Sequence, residues 1–421
     1  MKNYQIVNID AVQIKYAADS YQPFTLRLGN EMLSIQVKPN PVWSATCQQV
    51  RPEGTPKQTP CGTDVQTYSG RVLLDGVVTK VRLVIGKDSI RGFIYDGKKW
   101  LFIEPLQEFR PNAQPTQYLV YYARDLKARI DLRNDTVAAP RSQAQRQSQP
   151  TSLPLQPKLP YEYEPDDDPC YVPGNPKCHQ SSSSPPPPPP TYTQINVHLV
   201  ADQEFVASAG GAGSTVFAQH ALLVSSLNTI FHSVNVNFNL ASSSVDSSTS
   251  PCFTAATAPS LVLQVAPCFA AINPSIALTP PDVVHLTSGK VLPNFLGAGI
   301  YGMAQQPGTF GFSTWRLNVV GGSSVGSFPD FSFLNLAIAA HEIGHNFDGC
   351  HAEADHSCTY FDLFGWCAGG GSNTIMYPTA SGDTELYFSF GTVDSNHNNA
   401  ARISFNESMR PGGMITRVCP F

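Results

Sequence analysis

The sequence is poor in charge and has no excess of positive charge. Charged residues make up 14% of the 421 residues, and the net charge is −5. Because binding to nucleic acid needs a basic face, we expect no nucleic-acid partner. No run of about 18 apolar residues is free of Pro, Asn or Gln, so we also expect no membrane span. Hydrophobic residues amount to 42% of the chain, which suffices for the cores of two domains.

Two further absences concern cysteine chemistry and export. The chain contains no CxxC pair, and its ten cysteines lie in local groups instead. These groups are Cys47 with Cys61, Cys170 with Cys178, Cys252 with Cys268, and the last four, Cys350, Cys358, Cys367 and Cys419, whose pairing stays open. An even number in neighbouring groups favours disulfides, and therefore secretion into an oxidising, extracellular compartment. The sequons at Asn134 and Asn406 agree with this, although residues 1–13 show no signal peptide.

Composition divides the chain into three zones. Residues 1–134 alternate between apolar and polar residues in short runs, which predicts a mostly antiparallel β domain. Its clearest strands are expected at Thr67–Leu74, Lys80–Ile85 and Leu101–Ile103. Residues 135–191 are rich in Gln, Ser and Pro and end in a run of prolines, so we expect an extended linker. Residues 192–421 have the pattern of one α/β domain.

The third zone alternates predicted strands and helices. Helices are expected at Ser214–Val234 and Phe331–Phe347. Their N-caps would be Ser214 for the first helix, and Asp330 or Ser332 for the second. Strands are expected at Ile195–Ala201, Asn235–Leu240, Val283–Leu286, Ile300–Ala304 and Trp315–Val320, and core strands with loops over the apolar segment Ser260–Leu278, which contains prolines.

A histidine cluster ends the second helix. The letters HEIGH occupy residues 341–345, and a further histidine follows at His351. Residues four apart on a helix share a face, so His341 and His345 can direct imidazole nitrogens at one metal ion. With His351 as a third ligand, one position stays open for water, which is typical of a catalytic zinc site. Glu342 is placed to polarise that water rather than to bind the metal.

This spacing resembles the metzincin signature, and the flanking residues narrow the family. His341–Phe347 (HEIGHNF) and Pro281–Ala304 are similar to the catalytic domain of adamalysin-type, or reprolysin (ADAM-type), peptidases. Tyr68–Leu106 and Leu119–Lys127 resemble the pro-domain of the same family. The resemblance covers most of the chain outside the linker. It implies a pro-domain over residues 1–134, a linker over 135–191 and a zinc-peptidase domain over 192–421.

The resemblance also implies a fold and a mechanism. The fold would be an α/β (α+β) metzincin domain with a twisted, mainly parallel sheet and two long helices. One Zn²⁺ would be bound above a turn that contains Met376, while no motif indicates a structural Ca²⁺ ion. Protein or peptide substrates would pair with an edge strand at Gly302, Met303 and Ala304. Hydrolysis would use a zinc-bound water activated by Glu342.

Pro-domains of this family can also act as intramolecular inhibitors. The sequence Asn175–Cys178 faintly resembles the family's cysteine switch, in which a thiolate occupies the open position on zinc. The alternative is a disulfide between Cys178 and Cys170, which leaves an even number of other cysteines. Both readings stay open at this point.

Some residues depart from the family pattern. Asp348 stands where the family usually has Gly, and Ala352 replaces a common Asp, which puts the path of the loop in doubt. His356 could compete with His351 as a ligand, and Tyr377 is not counted as one. The remaining histidines that we interpret as structural are His198, His220, His232, His285 and His397. The rival function is an inactive metzincin-like module for binding or adhesion.

Overall fold

The computed structural model describes residues 3–28, 31–51, 57–73, 79–96, 99–110, 112–126, 129–131, 136–138, 193–209, 213–232, 236–246, 251–274, 281–290, 292–293, 299–300, 302–306, 309–314, 332–347 and 379–381. In the first zone these residues form β1 Gln5–Asn8, α1 Ala11–Asp19, β2 Phe24–Leu28, β3 Glu31–Pro39, β4 Trp43–Arg51, β5 Lys57–Pro60, β6 Gln66–Val72, β7 Lys80–Ile85, β8 Ile90–Tyr95, β9 Trp100–Pro105, β10 Gln117–Tyr122, β11 Arg129–Asp131 and, just beyond it, β12 Thr136–Ala138.

The later residues form both strands and helices. They are β13 Thr193–Ala201, α2 Gln203–Ser208, α3 Gly213–Phe231, β14 Val236–Val245, α4 Ala258–Ile272, β15 Val283–Ser288, β16 Leu292–Pro293, β17 Gly299–Ile300, β18 Gly302–Gln306, β19 Phe310–Thr314, α5 Ser332–Asn346 and β20 Thr379–Ser381. Among the described residues, no helix is long and apolar enough to cross a membrane.

Two eight-stranded sheets organise the molecule. The first has the order β1-β10-β9-β8-β7-β6-β3-β2, and its pairs are antiparallel throughout. The second has the order β12-β18-β19-β15-β13-β14-β4-β5. Parallel pairs join β4, β14, β13, β15 and β19 in its middle. Strand β5 pairs antiparallel with β4, and β18 pairs antiparallel with β19 and parallel with the edge strand β12. The fold is therefore of the α+β type, with mostly antiparallel pairs and with its parallel pairs confined to the second sheet.

Helices and sheets lie in alternating layers. Side chains alternate across a strand, so β9 directs Phe102 to one face of the first sheet and Leu101 to the other. Phe102 belongs to the core that α3 and α5 share with both sheets. Leu101 belongs to the core under α1. On its far side, the second sheet packs against α4. Helices α3 and α5 therefore lie between the two sheets and are buried on several sides.

The first zone contributes strands to both sheets. Strands β4 and β5 extend the second sheet beyond β14, and the disulfide Cys47–Cys61 joins this hairpin. At the opposite edge, β12, which lies just beyond the first zone, pairs with β18, while β11 pairs with β20 in a separate two-stranded sheet. The boundaries of the pro-domain, the linker and the peptidase domain stay predictions. The second sheet therefore contains strands from residues 1–138 as well as strands from the later residues.

Most predicted elements of the described chain are present with shifted ends. Strand β7 has the predicted bounds, and α5 ends one residue before the predicted end, while Phe331, its predicted first residue, lies outside the described residues. Helix α3 begins at Gly213, so Ser214 lies inside its first turn rather than at the N-cap. The strand predicted at Trp315–Val320 lies outside the described residues.

The prediction for the apolar segment Ser260–Leu278 was wrong. This segment forms most of α4, and the disulfide Cys252–Cys268 attaches the helix to the preceding loop. Of the two prolines in the segment, Pro274 follows the C-cap residue of α4 and so lies beyond the helix. Pro267 lies inside α4 and deprives the Leu263 carbonyl group of its donor, but Leu263 is 63% exposed, so water can replace that donor.

Candidate metal centre

Helix α5 brings three of the predicted site residues together. His341, Glu342 and His345 lie on its last two turns and are 0%, 0% and 1% exposed. The Nε2 atoms of His341 and His345 face each other at 3.0 Å, and the two rings are nearly perpendicular. This arrangement follows from the four-residue spacing, which puts both side chains on one face of the helix.

The geometry of the two imidazoles can be tested against zinc. Two nitrogens at about 2.0–2.1 Å from one tetrahedral zinc ion lie about 3.4 Å apart. The separation of 3.0 Å between the Nε2 atoms is close to this value, so the pair fits a shared zinc ion after a small outward movement. Imidazole nitrogen is also a preferred donor for zinc.

The other predicted site residues are not described by the structure. His351, the predicted third ligand, lies outside the described residues, and so do Met376, Cys178 and the alternative ligand His356. Within the described part of the chain, no three His, Cys, Asp or Glu side chains form a metal-binding group. The described half of the candidate centre is therefore a pair of histidines with a neighbouring glutamate.

Strand β18 contains the predicted substrate-edge residues and lies directly against Glu342. A Cβ atom on Gly302 would lie 2.2 Å from Oε1 of Glu342. A glycine therefore allows the strand to approach the carboxylate this closely. The next two residues, Met303 and Ala304, are buried and pair with β19.

The outer edge of β18 is itself covered by a strand. Strand β12 runs parallel to it, with Thr136 opposite Ala304 and Ala138 opposite Gln306. Residues just after the predicted pro-domain therefore occupy the edge at which a substrate strand was expected to pair.

Asn346 supports the centre and was not predicted. Its Nδ2 donates to the backbone oxygens of Gln305 and Phe310, at 3.0 and 3.2 Å. These bonds join the end of α5 to the hairpin of β18 and β19. An Asn directly after a predicted histidine ligand was the available signal, because an amide that is buried there needs partners and tends to fix neighbouring backbone.

A second unpredicted residue is Glu104 of β9, which contacts the other end of α5. The signal was a glutamate inside the apolar run WLFIEP, where a charge needs a buried partner. Its partner could not be identified before the packing of β9 against α5 was known.

Three histidines of the second sheet and α3 form a separate polar network. Their ring nitrogens pair with hydroxyl groups as follows: His198 with Ser242, His220 with Ser243 and Thr287, and His285 with Ser313. Burial lowers the pKa of His198 to about 4 and the pKa of His220 and His285 to about 3. All three are therefore neutral near pH 7, which agrees with their interpretation as structural residues.

Comparisons with known proteins bear on the region that contains this centre. Residues 191–389 match the family model described as Metallo-peptidase family M12. This match supports an M12-type metallopeptidase in that part of the chain, and it supports a peptidase as the class of enzyme. The ADAM-type subfamily and the pro-domain are finer predictions that the match does not address.

Solved structures give weaker likenesses. The metalloproteinase-II of Bacteroides fragilis is 9% identical with a TM-score of 0.47, and the alignment covers 94% of this chain and 95% of that one. A chaperone–substrate complex is 15% identical with a TM-score of 0.32, and the alignment covers 52% of this chain and 34% of that one. A comparison with curated proteins finds no match.

Proposed function

We propose that this protein is a secreted, zinc-dependent endopeptidase that is made as a zymogen. The observation that carries the proposal is the pair of facing histidines on α5, with the Nε2 atoms of His341 and His345 3.0 Å apart and Glu342 buried beside them. The family match over residues 191–389 supports peptide hydrolysis as the reaction. The two disulfides in the described chain are consistent with an extracellular location.

The side chains have separate roles in the proposed reaction. His341 and His345, with His351 as the third ligand, would hold Zn²⁺, and Met376 would pack beneath them. When bound, zinc supplies a Lewis acid that polarises the peptide carbonyl group and makes water more acidic. Glu342 would take a proton from the attacking water and pass it to the nitrogen of the leaving amine as the C–N bond breaks. Strand β18 would align the substrate through backbone hydrogen bonds.

Strand β12 supports latency as part of this proposal. Because β12 pairs with β18 along Ala304 to Gln306, a substrate strand cannot use the same backbone groups. The first zone, together with β12 just beyond it, would therefore act as an intramolecular inhibitor. Cys178 could add a thiolate to this inhibition, or it could form a disulfide with Cys170.

The function is tested on the full chain before and after cleavage of the linker. We expect one zinc ion per chain and hydrolysis of an unfolded protein that a chelator abolishes. Glu342→Gln should retain zinc and lose hydrolysis by roughly 10²- to 10⁴-fold, since it removes the general base. His345→Ala should lose zinc. The matched control is His232→Ala, in a half-buried histidine at the end of α3, which should change neither property.

The outcomes separate the two candidate functions. Hydrolysis that persists in Glu342→Gln would contradict the assigned mechanism. A folded protein that binds zinc and cleaves nothing in a broad peptide library, even after linker cleavage in a Val137→Pro variant that frees the edge of β18, would favour the binding module.

Latency is tested by Val137→Pro, which removes a backbone donor from β12 and disfavours its pairing. The full-length, uncut variant should cleave substrate faster than uncut wild type, whereas Val137→Thr should not.

A further inference from the structure

Glu104 is a fully buried carboxylate of the first sheet that contacts the first residue of α5. It lies on β9 and has an exposed fraction of 0%. The backbone N–H of Ser332 donates to its Oε1 at 3.2 Å, and the Ser332 hydroxyl group donates to its Oε2 at 3.0 Å. These two residues are 228 positions apart in the chain.

Tyr121 of the neighbouring strand β10 completes this contact. Its hydroxyl group donates to Oε1 of Glu104 and accepts the backbone N–H of Phe333. The ring of Phe333 also packs edge-on against Phe102, with 5.6 Å between the ring centres. Side chains of β9 and β10 therefore bind the first turn of α5 through both polar and apolar contacts.

This contact supplies acceptors to backbone N–H groups at the N-terminal end of α5. The first backbone N–H groups of a helix have no acceptor within the helix, and the positive end of the helix dipole favours a negative group there. A Ser or Asp directly before the helix usually supplies the acceptor. In α5, the N–H groups of Ser332 and Phe333 bond to side chains of the first sheet.

We infer that Glu104 is a positioning residue, which fixes the N-terminal end of α5 and thereby the location of His341 and His345. The expected effect of Glu104 on zinc binding rests on the proposed function, whereas its expected effect on the position of α5 does not. At 1.5 Å per residue, His341 lies roughly 14 Å along the axis from Ser332. Since Asn346 joins the far end of α5 to β18 and β19, the helix is held at both ends.

The charge on Glu104 makes the contact sensitive to pH. The pKa of Glu104 is raised to about 7, mainly by burial and also by the charge of nearby Glu108, although hydrogen bonds from Tyr121 and Ser332 and the charge of Arg91 oppose the rise. The ionised carboxylate can accept from all three donors. The protonated carboxyl group carries a donor of its own and so resembles the amide of glutamine.

The test compares Glu104→Gln with wild type in the full chain. The matched control is Glu31→Gln, the same change at an exposed position on β3 of the same sheet. Hydrogen–deuterium exchange of the metal-free proteins reports on α5, and competition with a chelator reports the zinc dissociation constant. We expect exchange in the first turn of α5 to become about tenfold faster and zinc binding to become about tenfold weaker, comparable with the loss of a helix cap. Glu31→Gln should match wild type.

Two further measurements separate positioning from a general loss of stability. The ratio of zinc dissociation constants between Glu104→Gln and wild type should shrink below pH 7, where protonated Glu104 resembles glutamine. If Glu104→Gln does not fold, Tyr121→Phe removes one hydrogen-bonding partner at each of Glu104 and Phe333 and should show a smaller change of the same kind.

Unchanged exchange in α5, or unchanged zinc affinity in folded Glu104→Gln, would overturn the inference. A wild-type protein that binds no zinc would instead count against the proposed function, and the exchange measurement would still decide the role of Glu104.

Discussion

Gly302 sets the distance between strand β18 and the carboxylate of Glu342. An added Cβ would lie 2.2 Å from Oε1 of Glu342, so Gly302→Ala must displace that side chain or the strand. Because general bases act only in a narrow geometry, we expect hydrolysis to fall roughly 10- to 100-fold. Zinc binding by His341 and His345 should change little. Kinetic constants and zinc content of the variant, measured together, check this.

The control for this prediction is Gly311→Ala on the facing strand β19. There the nearest atoms to an added Cβ are the Ala304 side chain and the Met303 carbonyl oxygen, both at 3.3 Å, and neither belongs to Glu342. Gly311→Ala should therefore leave the rate closer to wild type than Gly302→Ala does. Equal losses in both variants would contradict a specific role for the approach to Glu342.

At the scale of residues, the sequence predicts what local spacing encodes. His341, Glu342 and His345 lie within two turns of one helix, so their common location follows from helical geometry. The contact between Glu104 and Ser332 joins residues that are far apart in the chain. To predict this contact, one must know that β9 packs against α5. Neither segment contains a sequence feature that identifies the other as its packing partner.

At the scale of elements, buried histidines connect α3 with strands of the second sheet. His220 of α3 bonds to Ser243 of β14 and Thr287 of β15. Because burial lowers its pKa to about 3, folded His220 stays neutral when the unfolded chain, with a pKa near 6.5, takes up a proton. The stability that this residue contributes is therefore present above pH 6.5 and is lost as the pH falls towards 3.

Replacement of His220 should reduce the pH dependence of folding. Between pH 7 and pH 5, one such histidine costs wild type about 2 kcal/mol of unfolding free energy. The side chain of His220→Gln can still bond to hydroxyl groups but does not titrate. Between pH 7 and pH 5, this variant should therefore lose about 2 kcal/mol less unfolding free energy than wild type. Denaturant unfolding at the two pH values measures the difference. His232→Gln, at the half-buried end of α3, serves as the control, and a slope for His220→Gln equal to wild type would contradict the prediction.

Helix α4 illustrates why some elements were misassigned. Its buried residues follow a helical period, namely Ala258, Leu261, Val262, Val265, Cys268 and Phe269. The sequence therefore contained the helical signal. The two prolines of the segment argued against a helix, but Pro274 lies just beyond the C-cap residue of α4, and Pro267 removes a donor from an exposed turn. The cost of a proline depends on solvent access to the carbonyl group that it leaves without a donor, and sequence alone does not give that access.

At the scale of the whole molecule, the first zone is part of the core around α5. Trp100 and Phe102 of the first sheet share one hydrophobic cluster with Phe217 of α3 and Phe333 of α5. Strands β4 and β5 also complete one edge of the second sheet. Separation of the two parts would expose this apolar surface and leave backbone groups of β14 without partners. Compositional boundaries describe where the linker lies, but they do not describe how the chain folds on either side of it.

We therefore expect the two parts to stay associated after the linker is cut. A specific protease site placed within residues 139–192 should give two fragments that elute together in size-exclusion chromatography and unfold in one transition. Fragments that separate without denaturant would contradict this. If the cut complex is inactive and activity appears only after β12 is destabilised by Val137→Pro, then inhibition depends on the occupied edge of β18. Because Glu104 caps α5 from the first sheet, complete loss of that sheet should weaken zinc binding rather than activate the enzyme.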